Sequence, residues 1–352
     1  MTATDPLPPS AISRPRQTLL GVCAVVLIGW ALYAAQSVFA PLAFALFIMA
    51  LVWPLQRRLQ RDVPELLALA LTMAMTILVV IVFSSLVTWA VTRITRFITT
   101  DAARLQELYN SAVLWLEGHG VVLAELWAEH INGARLVRLA QEVTMRLNTV
   151  ASFSIVVFIY VLLGLLEVDD VCQKLRNKRL GALGSTLLDG GVQTAEKLRQ
   201  YMLVRTLMSV MTGLLVWAFA WLSGLPLAVE WGVLAFALNY IPFIGPFIAT
   251  VFPTLFAMAQ FGSLPMAVLI FVCLNIIQFV VGSYIEPRVA GRSLSISPFV
   301  VLFAVFFWSF LWGVPGAFIG VPIVIAIISL CEQHPSSRWV SDLFGQHLRE
   351  QE

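Results

Sequence analysis

Charged residues are scarce in this sequence, and their scarcity excludes most soluble proteins. Only 12% of the residues are charged and 59% are hydrophobic, against about 25% and about 45–50% in soluble domains. Several apolar runs reach the length of about 20 residues that a helix needs to cross lipid. The net charge is only +2, and no basic stripe indicates nucleic-acid binding. We therefore expect an all-α polytopic integral membrane protein that binds no nucleic acid.

Patterns typical of metal sites and active sites are missing as well. The four cysteines include no CxxC pair, and the four histidines include no HxxxH pair. The chain also lacks a GxxxxGK[ST] loop, an HExxH motif, a Ser/His/Asp set and a pair of carboxylates within one apolar run. We therefore expect no metal, no cofactor, no direct use of ATP and no enzymatic activity.

The apolar runs divide the chain into about eight membrane segments. The predicted segments are 18–35, 38–55, 65–90, 150–167, 202–222, a broken 228–260, 264–284 and 298–330. Between the third and fourth lies a polar stretch with apolar residues at helical spacing. The predicted regions are a disordered cytoplasmic tail (1–17), three transmembrane helices (18–90), an amphipathic helical extracytoplasmic segment (91–149), a transmembrane transport region (150–330) and a cytoplasmic tail (331–352).

Positively charged loops predict the orientation of these segments. The loop 56–64 contains Arg57, Arg58 and Arg61, and the stretch 168–201 is also rich in Lys and Arg. Cytoplasmic loops carry such an excess in membrane proteins. Both termini are therefore expected in the cytoplasm.

Two of the apolar segments are broken by Pro and Gly. The breaks are Asn239-Tyr-Ile-Pro-Phe-Ile-Gly-Pro246 and Trp312-Gly-Val-Pro-Gly316. Each segment spans 33 residues, which is long for one helix because about 20 residues suffice. Either each segment crosses once or each folds back as a re-entrant hairpin. The hairpins place the loop 285–297 in the cytoplasm, where its arginines satisfy the positive-inside trend.

The breaks also predict where a solute passes, because unwound backbone at membrane depth must be covered by protein or line a polar cavity. The candidate path residues are Asn239, Tyr240, Pro242, Gly245, Pro246, Asn275 and Gln278. The candidate gating or coupling residues are Glu230, Glu286, Arg288 and Arg292. The candidate hinge residues are Gly313, Pro315, Gly316 and Pro322. The alternative interpretation is structural: packing bends at the breaks, and charged anchors at the membrane edge.

Four motifs in order carry a family resemblance. They are the two breaks, Glu286-Pro-Arg288 and Gly291-Arg-Ser-Leu-Ser-Ile-Ser-Pro298. Together they resemble the autoinducer-2 exporter family of bacterial membrane proteins, the PerM-like permeases. The resemblance implies about eight membrane segments, the bacterial inner membrane and a homo-oligomer. Substrates proposed for that family range from a furanone-like quorum signal to sodium or lithium exchanged for protons.

Three functions follow as hypotheses. The first is a secondary transporter or facilitator that exports a small polar metabolite through the lipid bilayer. The second is a Na⁺(Li⁺)/H⁺ antiporter, which would depend on Glu230 or Glu286 although both lie near segment ends. The third is a non-transporting membrane scaffold, in which the breaks are packing kinks.

Overall fold

The computed structural model describes residues 14–100, 133–176, 181–290, 296–333 and 337–344, and within these ranges it contains helices and no β-strand. A π-helical turn, Val280–Ile285, lies between the helices Leu264–Phe279 and Glu286–Ala290. The helices are α1 (Arg14–Ala34), α2 (Gln36–Leu59), α3 (Glu65–Thr100), α4 (Gly133–Leu175), α5 (Gly181–Leu222), α6 (Ala228–Leu238), α7 (Ile244–Phe261), α8 (Leu264–Phe279), α9 (Glu286–Ala290), α10 (Pro298–Glu332) and α11 (Arg338–Phe344).

Membrane-length apolar helices dominate the fold. Six stretches of the described residues are long and apolar enough to cross a bilayer, and α6 and the apolar part of α1 are shorter. Large apolar side chains such as Leu78 and Phe310 are exposed on the outer surface, as contact with lipid requires. The all-helical membrane class is therefore confirmed, and the number of about eight membrane segments stays a prediction.

Several helices extend beyond the apolar runs from which they were predicted. α3 continues to Thr100, α4 begins at Gly133 and α5 begins at Gly181. The predicted extracytoplasmic segment 91–149 thus starts and ends within helices, and its centre, 101–132, lies outside the described residues. The predicted disordered tail falls largely on residues 1–13, which also lie outside them.

Ion pairs and hydrogen bonds define two ends of the helical bundle. At one end, here named the basic end, Arg57 of α2 contacts Asp169 of α4 at 2.8 Å, and Lys197 of α5 pairs with Glu332 of α10. α2 and α4 therefore both finish at the basic end. The opposite end holds the turn between α1 and α2 and the carboxyl-terminal part of α3.

The first broken segment folds back on itself and forms hairpin 1, which consists of α6 and α7. Trp231 near the start of α6 packs against Phe256 near the end of α7, with ring centroids 5.3 Å apart. One continuous helix would separate these residues by about 37 Å, so the two helices run antiparallel. The base of hairpin 1 lies at the opposite end, where Arg93 of α3 contacts Glu230.

The second broken segment also folds back, within α10, and forms hairpin 2 from the arms 298–312 and 314–332. The chain reverses at Gly313, whose φ of 64° and ψ of −142° interrupt the helix. A Cβ at Gly320 would lie 2.8 Å from the carbonyl oxygen of Ala304, although a straight helix would place these residues about 24 Å apart. The hairpin alternative therefore holds for both broken segments.

The two hairpins enter the bundle from different ends. The tip of hairpin 2 reaches the opposite end, because Trp312 donates its indole N–H to the carbonyl oxygen of Leu32 in α1. The base of hairpin 2 lies at the basic end, beside Lys197. α6 has 11 residues and is about 16 Å long, which is about half the hydrocarbon thickness. The tip of hairpin 1 therefore lies near mid-depth.

Candidate functional site

The tip of hairpin 1 is a strained turn. Pro242 has no N–H, and the amide of Ile244 donates to the carbonyl oxygen of Pro242 at 2.7 Å. That bond spans only three residues and places Phe243 at φ 62° and ψ −54°. This is the rare form of the γ-turn, which a non-glycine residue adopts only at a cost. The break predicted at 239–246 is therefore a sharp reversal.

Gly245 lets the chain return closely past the end of α6. Its amide donates to the carbonyl oxygen of Ile241 at 3.0 Å. A Cβ at this position would overlap the carbonyl oxygen of Leu238, which is backbone and has little room to move. Pro246 follows directly, at a position where α7 needs no amide donor from it.

A row of polar side chains on α5 faces this tip. We name it the α5 stripe; its members are Tyr201, Arg205, Thr206, Ser209 and Thr212. The side-chain amide of Asn239 donates to the hydroxyl of Ser209 at 3.2 Å, and the hydroxyl of Tyr240 donates to that of Thr206 at 3.1 Å. Both path residues at the tip are thus buried and held on α5.

Arg205 is a candidate site residue that was not predicted from the sequence. It lies inside the predicted span 202–222, and its side chain is only 10% exposed. Its guanidinium contacts both carboxylate oxygens of Glu286, at 3.2 and 3.3 Å, through one nitrogen. An arginine within an apolar run is itself a signal of function, because a charge at membrane depth is costly.

Glu286 is positioned by the π-helical turn that precedes it. Val281 in this turn is buried and packs with Val204 and Met208, the α5 residues beside Arg205. Isolated π-helical turns often occur at functional sites, because one extra residue per turn changes which side chains face inward. Glu286, predicted as a gating residue, therefore joins the α5 stripe.

Of the other residues predicted for the site, some lie near the α5 stripe and some lie elsewhere. The amide nitrogen of Gln278 is buried without a hydrogen-bond partner among the described residues. Asn275 is exposed and donates to the carbonyl oxygen of Phe271 on its own helix, so the structure does not bring it to Asn239. Arg288 is exposed and lies over the ring of Tyr284. Arg292 lies outside the described residues.

Glu230 belongs to the base of hairpin 1 rather than to its tip. It is buried, with its side chain only 5% exposed, and Arg93 contacts it at 3.1 Å. Both carboxylates that were predicted to gate or couple therefore pair with arginine, at two separate places.

The predicted hinge lies in hairpin 2. Gly313 makes the reversal, and Pro315 follows it in the second arm. Gly316 is packed so closely that a Cβ would overlap the carbonyl oxygen of Trp308. Pro322 is buried further along the same arm. Phe318 of this arm stacks on Tyr240 at 5.8 Å, so the two hairpins meet beside the α5 stripe.

The described residues hold no cluster of three or more His, Cys, Asp or Glu side chains suited to a metal ion. What they bring together is a patch of hydroxyl and amide groups beside one arginine–glutamate pair, where two hairpins from different ends meet. Broken helices that meet from two sides around polar groups are characteristic of secondary transporters.

A family model described as AI-2E family transporter matches residues 20–335. The chain belongs to the AI-2E family of transporters. Members of this family are multi-pass proteins of the bacterial inner membrane, and the match agrees with the resemblance carried by the four motifs.

Relatives of this AI-2E protein align with it either over most of the chain or over about half of it. The AI-2 transport protein TqsA of Escherichia coli K12 is 27% identical over 94% of this chain and 96% of its own. The putative transport protein YhhT of the same organism is 26% identical over 87% of each chain. A putative transport protein of Borreliella burgdorferi is 32% identical over 52% of each. Family and relatives are thus transport proteins.

The strained turn in this AI-2E transporter gives a first testable expectation. Replacing Phe243 by Gly should raise the melting temperature, because glycine adopts the positive φ without the cost of about 1–3 kcal/mol. Phe243 is 47% exposed, so little buried contact is lost. Differential scanning fluorimetry in detergent measures the shift, with Phe247→Gly as an exposed α7 control that should be destabilised. A Phe243→Gly protein that melts lower than wild type would contradict the strain.

Proposed function

We propose that this protein moves a small polar solute across the membrane at the place where hairpins 1 and 2 meet. The observation that supports the proposal is the entry of the hairpins from different ends of the bundle. Hairpin 1 enters from the opposite end and hairpin 2 from the basic end, and both contact the polar patch, hairpin 2 through Phe318. A movement of one hairpin against the other would open the patch toward one end. A path that is never open at both ends is what a secondary transporter needs.

The proposed solute is a small organic metabolite such as a quorum-sensing signal, and the proposed direction is export. Support comes from TqsA, whose name assigns it AI-2 transport and which matches over nearly its whole length. The hydroxyl and amide groups at the tip of hairpin 1 add to this support, since such groups hydrogen-bond to polar organic solutes.

Inverted membrane vesicles containing the overproduced protein test the proposal. We expect uptake of added AI-2 into these vesicles to exceed uptake into vesicles without the protein, and to be lost in the Gly245→Ala variant. Uptake equal to the empty control for AI-2 and for a panel of sugars, polyols and hydroxy acids would contradict export of a small polar metabolite. Vesicles with a second unrelated permease at equal abundance control for leakage.

The antiporter alternative is not favoured. Each candidate carboxylate, Glu230 and Glu286, already has an arginine partner, whereas coupling to cations needs an intramembrane carboxylate that is free to bind them. The same vesicles distinguish the functions, because an antiporter would release protons when sodium or lithium is added. A proton flux of that kind without AI-2 uptake would replace the proposed function.

We propose that the basic end faces the cytoplasm and that both termini lie there. The proposal rests on the positive-inside trend and on Arg57 and Arg58 at the end of α2 and Arg61 in the turn that follows. In whole cells, a cysteine at Arg58 should resist an impermeant maleimide, and one at Gly262, in the turn between α7 and α8, should react. Permeabilised cells provide the control in which both react. The reverse pattern in intact cells would invert the orientation.

A homo-oligomer is also proposed. Its support is the outward face of α3, where Ser85 and Thr88 are exposed although lipid offers no hydrogen-bond partner at that depth. A second copy of this chain would cover these groups, as polar residues do between membrane helices. Light scattering of the detergent-solubilised protein should give a multiple of 38.9 kDa. A monomer in nanodiscs as well as in detergent would contradict this.

A further inference from the structure

We infer that Arg205 binds an oxyanion of the transported solute and that Glu286 occupies its place when no solute is bound. This inference rests on the proposed function, and it names the chemical class of the substrate as a small carboxylate or phosphate. It starts from hydrogen-bond donors in the site that have no partner.

Arg205 is charged and only partly satisfied. Guanidinium remains protonated in proteins and has five N–H donors but no acceptor. Only one of its nitrogens contacts Glu286, and the distances of 3.2 and 3.3 Å are long for a charged hydrogen bond, which is about 2.7–2.9 Å. The Nε–H is buried and has no hydrogen-bond partner among the described residues.

Two further buried polar groups of this region, on Tyr201 and Gln278, lack a full set of hydrogen-bond partners within the described residues. The ring of Tyr201 lies 5.8 Å from the guanidinium carbon. Its hydroxyl, which can donate or accept, interacts electrostatically with Arg205 and is buried without another partner in the described part of the chain. Gln278 adds a buried amide nitrogen, likewise without a described partner. Its neighbour Ile277 packs against the α5 residues beside Arg205. Donors that lack acceptors are best satisfied by a ligand that only accepts, and an oxyanion does so.

Glu286 acts as an internal substitute for such a ligand. Its side chain is 27% exposed, whereas that of Arg205 is 10% exposed, so the carboxylate approaches the arginine from the more accessible side. A carboxylate on a solute can take its position and use the free Nε–H edge of the guanidinium for a two-bond contact. Because that edge is buried, a small solute fits it better than the headgroup of a lipid.

The site also lies where transport requires a binding site. Thr206, the residue after Arg205, accepts the hydrogen bond of Tyr240 at the tip of hairpin 1, and Tyr240 stacks on Phe318 of hairpin 2. An anion on Arg205 therefore contacts the α5 stripe beside both moving elements.

Binding of defined small anions to the purified protein tests the inference separately from transport. The probes are lactate and inorganic phosphate, with lactamide as the neutral match for lactate, and the readout is thermal stabilisation in phosphatidylcholine nanodiscs. We expect stabilisation by lactate or phosphate and none by lactamide. In Arg205→Gln the response should disappear, and in Arg61→Gln, a control at an exposed arginine far from the site, it should remain.

Glu286→Gln distinguishes binding from a purely structural ion pair. The substitution removes the competing carboxylate and keeps its volume, so the Kd for lactate or phosphate should fall at least tenfold. The double variant Arg205→Gln/Glu286→Gln, which carries no unpaired charge, should fold and bind neither anion. A Kd unchanged or raised in Glu286→Gln, or anion binding retained in a folded Arg205→Gln protein, would overturn the inference.

The outcomes also separate this inference from the proposed function. If wild type transports AI-2 or another neutral solute and Arg205→Gln transports it equally fast, the anion site is wrong and the transporter stands. If wild type binds lactate or phosphate through Arg205 but no solute crosses the vesicles, the transport proposal fails and the site stands. Stabilisation by phosphatidylglycerol alone, with no response to either soluble anion, would assign the arginine to lipid and overturn the solute site.

Discussion

Gly245→Ala should abolish transport. The added methyl group would overlap the carbonyl oxygen of Leu238, so the tip of hairpin 1 has to open or tilt. Forcing bulk into a packed site costs about 1–3 kcal/mol, and here the atom in the way is backbone. Because Asn239 and Tyr240 lie in the same turn, their bonds to Ser209 and Thr206 would be displaced as well.

Uptake of AI-2 into inverted vesicles, scaled to the amount of folded protein, measures this effect. Gly29→Ala is the matched control, since a Cβ there meets nothing within 4 Å, and it should transport like wild type. Melting temperature and elution volume in mild detergent separate a lost function from a lost fold. If Gly245→Ala transports normally, the closed tip seen here is not needed for function.

Arg93→Leu should destabilise the base of hairpin 1. It removes the one ion-pair partner that the described residues give to Glu230, whose side chain is 5% exposed. Leaving a buried charge unpaired costs about 3–5 kcal/mol. Because the Arg93 side chain is 57% exposed and partly screened by solvent, we expect a loss at or below about 3 kcal/mol. Unfolding should begin at a lower temperature in detergent.

Two companion variants make this expectation specific. Arg96→Leu removes an exposed arginine from the same helix, one without an ion pair among the described residues, and should change stability by less than about 0.5 kcal/mol. In a Glu230→Gln background, Arg93→Leu should cost little, because no buried charge is then left behind. An equal loss in both backgrounds would show that Arg93 stabilises the fold without Glu230.

Local chemistry made the positions of both hairpins predictable. Pro242, Gly245 and Gly313 mark the reversals because a helix tolerates a lost amide or a positive φ poorly. The length of each broken segment, together with the charge of the loop between them, favoured a hairpin over a single span. The hairpins and the residues at their tips could therefore be predicted from short stretches of sequence.

Contacts between distant segments were not predictable in the same way. Arg93 was predicted in an extracytoplasmic segment and Arg205 was not predicted as a site residue, because the partners of both residues lie far along the chain, at Glu230 and Glu286. Asn275 was predicted as a path residue together with Gln278, since residues three apart share a face of a helix. Spacing does not show whether that face meets protein or lipid, and Asn275 is exposed.

The order of the elements along the chain has a consequence for biogenesis. The second arm of hairpin 2 is almost the last helix to leave the ribosome, yet it contributes much of one buried core, including Ala317, Ile319 and Ile325. Hairpin 1 is synthesised earlier. The stacking contact between Tyr240 at its tip and Phe318 of hairpin 2 forms only after Phe318 has been synthesised. Until then Tyr240 has its hydrogen bond to Thr206 of α5 but lacks the ring of Phe318 against it. Completion of the candidate site is therefore a post-translational step, and a nascent chain that stops before residue 314 should be a target for membrane quality control.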